Sequence, residues 1–277
     1  MSSVQELKRR QERIRSTQQI TKAMKLVSTV KLQRAREHAE PAAVYVKRMR
    51  EFGQTFLGHR PLPAAEDAQD TAARKKLVVV LSANRGLAGG YNMNIVKKVI
   101  DQQWSADDVL LCTVGRRAAE LLRSRGFHVW NDFSDEMDTE PYELAGSICR
   151  AALRAYENGH ADSITVVYTK FYNAVTQLPV CEKLIPVQEP VAEDVFTVES
   201  DEDLFLGSLL SEYVTARIYG ALLESAASEH GSRMQAMDAA TANADELIEQ
   251  LAKQYNRARQ GAITQEITEI IAGAQAI

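Results

Sequence analysis

From Tyr213 onward the chain carries a stripe in alternating steps of three and four: Ala216, Gly220, Leu223, Ala227, His230, Met234, Met237, Thr241, Ala244, Ile248, Leu251, Tyr255, Ala258 and Ala262. Steps of three and four average 3.5 residues. That period keeps one seam of a helix turned toward a partner helix and winds the pair left-handedly. No proline follows Pro190, so nothing breaks the pattern. A helix from about Leu204 to the end would be roughly 110 Å long at about 1.5 Å per residue. The rest of a 277-residue chain has no room to bury a straight rod of that length, so the rod must project into or through another body.

The partner helix is available at the other end. Residues 2–57 are dominated by helix formers, with Val4, Leu7, Ile14, Ile20, Met24 and Val27 near one face and Gln11, Thr17 and Thr21 interleaved. Pro41, the one proline there, predicts a local break around His38–Val44. A basic helix with so ragged a stripe needs tertiary burial. Pairing it with the C-terminal helix gives an antiparallel two-helix coil that joins both chain ends. Its charge is lopsided: residues 1–36 hold ten Lys or Arg against Glu6 and Glu12, although the whole chain is only −4. Such a block points to an acidic partner surface rather than to a merely solvated face.

Between the helices the periodicity changes. Residues 58–73, with two prolines, form a linker. Within Lys76–Ser82 the run Leu77–Leu81 is continuously apolar, as a strand buried on both faces requires. A helix over Met93–Gln103, a strand Val109–Val114, a helix Arg116–Arg125, a short strand Phe127–Trp130 and a helix Tyr142–Asn158 follow. A strand Ser163–Tyr172 turns at Asn173–Ala174 into Thr176–Ile185 as a hairpin, and residues 186–203 form an acidic return loop. Alternating strands and helices predict an α/β domain with a mostly parallel sheet. The organisation is therefore residues 1–57 as one coil helix, 74–190 as the α/β domain and 204–277 as the second coil helix.

The chemistry-bearing patterns are few. Ser82–Asn92 reads SANRGLAGGYN where a phosphate-binding turn would sit, but Gly86, Gly89 and Gly90 do not give GxGxxG and no Gly-Lys-Ser/Thr follows. A structural turn is the better reading, as it is for Gly115-Arg116-Arg117. The five histidines are scattered without metal-ligand spacing. Cys112, Cys149 and Cys181 form no CxxC pair, as expected of reduced thiols. No apolar run approaches the ~18 residues that span a bilayer, and neither a signal-peptide core nor a transit peptide is recognisable. No metal, cofactor or catalytic constellation is expected.

At both ends the residues are specific enough to carry a resemblance. Leu7–Ser28 contains STQQITKAM at Ser16–Met24. Arg233–Ala244 reads RMQAMDAATANA, and Tyr255–Gly273 reads YNRARQGAITQEITEIIAG. These stretches, with Ser82–Asn92 between them, resemble the gamma subunit of the rotary F-type ATP synthase in order and over the full length. Ala88 stands where that family often has cysteine. The resemblance implies a non-catalytic central shaft threaded through a ring of three alpha and three beta subunits. Its foot would rest with the epsilon subunit on the membrane ring of c subunits, coupling proton-driven rotation to ATP synthesis or hydrolysis. It implies that Arg259, Gln260 and Thr264 meet an acidic loop of a beta subunit, and that Ile263, Ile267, Ile270 and Ile271 turn in an apolar collar. Met24 and Arg233 would lie in a coupling region. The implied location is the cytoplasmic face of a bacterial inner membrane, reached through partners, without nucleic acid. Two other classes compete. A nucleic-acid-binding coil would explain the basic helix but finds no aromatics there. A nucleotide-dependent enzyme would explain the α/β domain but lacks the fingerprint.

Overall fold

The computed structural model describes residues 4–58, 75–187 and 202–275, with side chains in the last stretch described over 205–272. The expected linker, apart from its first residue, and most of the acidic return loop lie outside the described residues. Helix α1 spans Val4–Leu57 and helix α5 spans Glu202–Gln275. Between them run β1 (Lys75–Leu81), α2 (Tyr91–Ile100), β2 (Val109–Val114), α3 (Arg116–Arg123), β3 (Val129–Asp132), α4 (Pro141–Glu157), β4 (Ala161–Phe171) and β5 (Gln177–Ile185). The α/β domain and the two long antiparallel helices are the architecture expected. The chain divides into two compact units, one of residues 1–28 and 234–277 and the other of residues 29–233.

In the larger unit the five strands lie in the order β3-β2-β1-β4-β5. β1 is central and parallel to both neighbours, Val79 pairing with Cys112 on one side and Val166 on the other. Only the β4–β5 hairpin is antiparallel, with Val167 opposite Cys181. Side chains alternate across a strand, so β1 feeds two cores at once. Leu77, Val79 and Leu81 join α4 and α5 on one face. Val78 and Val80 join α2 and α3 on the other. That is why its sequence is apolar without alternation. Strand β3 lies two residues later than the expected Phe127–Trp130. Its short run has only Val129 and Asn131 half-buried, which leaves little apolar pattern to fix its ends.

Within this unit the two long helices touch through glycine. An added Cβ at Gly53 would stand 2.2 Å from the Tyr213 ring, and one at Gly220 would stand 2.9 Å from Val46. The expected break near Pro41 does not occur, because α1 runs through it unbroken. Pro41 and Glu37, whose carbonyl loses its partner, are both on the exposed side, while Ala39 and Ala42 are half-buried. The lost hydrogen bond therefore faces solvent, and burial of the opposite face holds the helix together.

In the smaller unit the C-terminal stripe is the seam. Met237, Ala244 and Leu251 are buried, and Met234, Thr241, Ile248, Tyr255, Ala258 and Ala262 are half-buried. The α1 side is more polar than its apolar residues suggest. Val4, Leu7, Gln11, Ile14, Gln18, Thr21, Met24 and Ser28 face inward, whereas Ile20 and Val27 are 58% and 57% exposed. The seam is instead joined by polar pairs. Gln18 donates to Asp245, the Thr241 hydroxyl to that of Thr21 at 2.8 Å, and Lys25 Nζ to Asp238 at 2.6 Å. Pairs that descend along α1 while ascending along α5 make the coil antiparallel.

Candidate functional site

The carboxyl ends of the parallel strands are where a doubly wound sheet binds ligands, and here that position is closed by the protein's own side chains. Asn84 Oδ1 accepts from the Arg116 backbone N–H at 3.0 Å and Ser82 Oγ from that of Ala118 at 3.2 Å. Ser134 Oγ accepts from the Gly115 N–H at 3.1 Å, and Asn92 Oδ1 from the Ala83 N–H at 3.1 Å. Arg117 N–H is taken by Ala83 O at 3.2 Å. The N–H groups of Gly115, Arg116, Arg117 and Ala118 are the donors a phosphate would need at the start of α3. Gly115 is there for closeness: its φ is +103°, and an added Cβ would stand 2.3 Å from Ser82 O. The glycine-rich segment is a sealed turn, as its spacing suggests. Among the described residues no cluster of His, Cys, Asp or Glu can hold a metal, and no helix is long and apolar enough to cross a membrane.

What the molecule leaves open lies at the end of α5. In the smaller unit the pairs Gln18–Asp245, Thr21–Thr241 and Lys25–Asp238 fix a register whose extrapolation puts Val4 opposite Ala258. The helix beyond Ala258 therefore runs past the described start of α1. Arg259, Gln260 and Thr264 are exposed there, the Thr264 hydroxyl returning to Gln260 O at 2.9 Å. Ile263, Ile267, Ile270 and Ile271 are 46–70% exposed. At 3.6 residues per turn these seven residues fall on one broad face, turned away from the seam of Leu251, Tyr255, Ala258 and Ala262. A row of bare isoleucines beside a guanidinium is an exposed apolar strip of the kind that marks interaction surfaces.

Met24 and Arg233 are different. Met24 is half-buried in the smaller unit, and its carbonyl accepts from Ser28 Oγ at 2.8 Å. Arg233, in the larger unit, is only 9% exposed and donates to Glu229 at 2.6 Å, with His230 Nδ1 at 3.4 Å. Burial, then Arg233 and Lys31, push the His230 imidazole down to about 4. The basic charge of α1 stays outward, with Arg9, Arg10, Arg13, Arg15 and Lys22 exposed.

Paired terminal helices, a sealed α/β domain and an exposed amphipathic tip define a coiled-coil subunit that acts through contact with other proteins. The family model described as ATP synthase matches residues 3–277. The chain is 42% identical to the ATP synthase gamma chain of Lachnoclostridium phytofermentans and 40% identical to that of Heliobacterium modesticaldum, covering the whole of each. It belongs to the ATP synthase gamma chain family. Its fold is similar to that of a chain in the Euglena gracilis mitochondrial ATP synthase in rotational state 3, with a TM-score of 0.70 over 99% of this chain and 94% of that one at 16% identity. A chain of the Tetrahymena thermophila mitochondrial ATP synthase central stalk and c-ring gives 0.60 over 80% and 99% at 24% identity.

Proposed function

We infer that this chain is the central shaft of a proton-translocating ATP synthase, turning inside a ring of three alpha and three beta subunits. Its α/β foot stands with the epsilon subunit on the membrane ring of c subunits. The observation that carries this reading is the exposed face of α5 beyond Ala258, on a chain alike over its whole length to gamma chains. Identical beta subunits hold different nucleotide affinities only if something asymmetric touches each differently. A coil with an apolar strip, a basic outer face and polar patches supplies that asymmetry. Because coupling is reciprocal, affinity changes at the beta sites drive the shaft just as the shaft drives them. One device thus runs as synthase or hydrolase and regulates ATPase activity and proton flow.

On this reading the shaft does no chemistry of its own and binds no cofactor. Residues 1–57 and 204–277 are the coil and 74–190 the foot. Arg259 gives charge-assisted hydrogen bonds to an acidic loop of a beta subunit, with Gln260 and Thr264 as neutral partners. Ile263, Ile267, Ile270 and Ile271 sit in an apolar collar, where the absence of directional bonds permits sliding. Met24 and Arg233 belong to the coupling region near the ring's lower rim. The complex stands on the cytoplasmic face of a bacterial inner membrane, which this chain reaches only through partners.

Reconstitution tests the assignment. Alpha and beta subunits mixed with this chain should co-elute as one complex whose ATPase activity depends on it, and Arg259→Ala should lower that activity. A ring that assembles and hydrolyses ATP equally well without the chain would refute the reading. Titration of the chain alone with ATP should give no tight binding, because the turn donors are already occupied.

A further inference from the structure

The larger unit contains a cavity of about 200 Å³ between α1, α5 and the β4–β5 hairpin. It exists because the helix positions facing it are small: Ala39, Ala42 and Ala43 on α1, and Gly220 and Ala221 on α5. Its charged lining divides into a paired, nearly buried set and a more open one. Arg217 is paired with Glu182, which also accepts from the Tyr168 hydroxyl at 3.1 Å. Three other cations line the space. Arg50 has no ion pair among the described residues, Lys47 reaches only Glu51 at 3.8 Å on the exposed side, and Lys170 lies 6.0 Å from the Tyr172 ring centroid. Against them stands Glu224. Burial pushes its carboxyl up and Lys170 pulls it back; the backbone N–H of Phe171 bonds it, yet Oε2 is buried and has no partner among the described residues.

A buried carboxylate oxygen without a donor is costly and calls for one. The occupant must meet two opposite demands. It has to suit the cations at the rim, the half-buried Lys170 and the exposed Lys47 and Arg50, as an acceptor, and to donate a hydrogen bond to Glu224. A cation fails the first demand. A fully deprotonated oxyanion meets the first but sets negative charge against Glu224. Inorganic phosphate meets both, because at neutral pH it keeps at least one P–OH beside its charged oxygens, and its size suits the cavity.

We propose that this cavity is a binding site for inorganic phosphate, with Lys47, Arg50 and Lys170 donating to its oxygens and Glu224 accepting from its hydroxyl. Glu224 is then the selectivity residue, since sulfate has the same shape and no proton to give. The test is calorimetric titration of the full chain with sodium phosphate and, separately, sodium sulfate, with phosphorus NMR line broadening as a second readout. The wild type should bind one phosphate saturably, with a preference over sulfate of about tenfold or more, the effect of one charge-assisted hydrogen bond. Glu224→Gln, whose amide donates as well as accepts, should bring the two anions to within about threefold. Lys170→Gln should weaken both by a similar factor, and circular dichroism should report native helix content in each variant. The proposal fails if wild-type protein shows no saturable phosphate binding, if sulfate binds as well as phosphate, or if Glu224→Gln keeps the preference.

Discussion

Glycine-to-alanine substitutions in the two long helices should change stability in opposite directions, depending only on what each added methyl meets. In an open helix interior the change gains about 1 kcal/mol in propensity. At Gly53 the new Cβ would lie 2.2 Å from Tyr213 Cδ2 and 2.9 Å from its Cγ. Ordinary carbon–carbon contact is about 3.5–4 Å, so the ring or the helix must retreat by more than about 1 Å. Tyr213 is only 3% exposed and has nowhere to swing. Overpacking of this kind costs about 1–3 kcal/mol, occasionally more. A 2.2 Å approach belongs at the upper end of that range, so after the propensity gain Gly53→Ala should lose about 2 kcal/mol, a fall in Tm of roughly 4–8 °C for a unit of this size. Gly207, on α5, has no atom within 4 Å of an added Cβ, and Gly207→Ala should be stabilised by about 0.5–1 kcal/mol. Thermal unfolding of the full chain, followed by circular dichroism for parent and both variants, decides the matter. If Gly53→Ala melts at or above the parent, the close approach of α1 to α5 at Tyr213 is wrong.

Three further expectations concern charge. In membranes carrying the whole complex, Met24→Lys adds a cation to the coil next to Lys25 and should lower protons pumped per ATP while hydrolysis continues; unchanged pumping would remove Met24 from the coupling region. His230 is held down to about 4 by burial, Arg233 and Lys31, below its unfolded value near 6.5. The unfolded chain therefore binds the proton first, and the stability His230 contributes is complete above about 6.5 and lost as pH falls toward 4. His230→Gln should flatten that part of a stability-versus-pH curve, and an unaltered slope would refute the assignment. Arg217→Met strips a nearly buried partner from Glu182, leaving it, among the described residues, the Tyr168 hydroxyl, and should cost about 2–4 kcal/mol in urea unfolding.

How much could be read beforehand depended on whether a pattern had one cause. The α5 seam was legible because each position from Met234 to Ala262 was chosen for the same burial, and the apolar run of β1 because both its faces are covered. The α1 seam was not. It uses Gln18, Thr21 and Ser28 against Asp245, Thr241 and neighbours, so inward positions carry polar residues while Ile20 and Val27 face out. Pro41 misled for a related reason, since a proline rule describes an isolated helix and here burial of Ala39 and Ala42 decides. The sealed turn could be expected from its wrong glycine spacing, but not the four side chains that seal it, which come from three separate segments. The contact residues proposed near the tip were nameable only through resemblance. No local rule separates Ile263 from a core isoleucine until its exposure is seen. The Glu224 cavity had no sequence signal at all, because its lining is drawn from four elements far apart in the chain.

The exposed end of α5 leads to a last expectation that separates a shaft from a self-contained coil. Most of a protein helix's stability comes from tertiary burial of an apolar face rather than from propensity. Beyond Ala258 the helix has no described α1 residue opposite it, and its isoleucines are 46–70% exposed. In the free chain this end should open often enough to be cut by trypsin at Arg257 or Arg259. The same protease should leave Arg233 intact, held by Glu229 and only 9% exposed. Within a complex that encloses the tip, opening requires leaving the collar, so cutting at Arg257 and Arg259 should slow by orders of magnitude while exposed turns on the foot, such as the one at Arg125, are cleaved as before. Cleavage is read by mass spectrometry of timed digests with and without alpha and beta subunits. A tip that resists trypsin in the free chain would mean that the helix is stable without a collar. Equal cutting in both samples would mean that the tip is not enclosed, and either result would detach the isoleucine face from the role assigned to it.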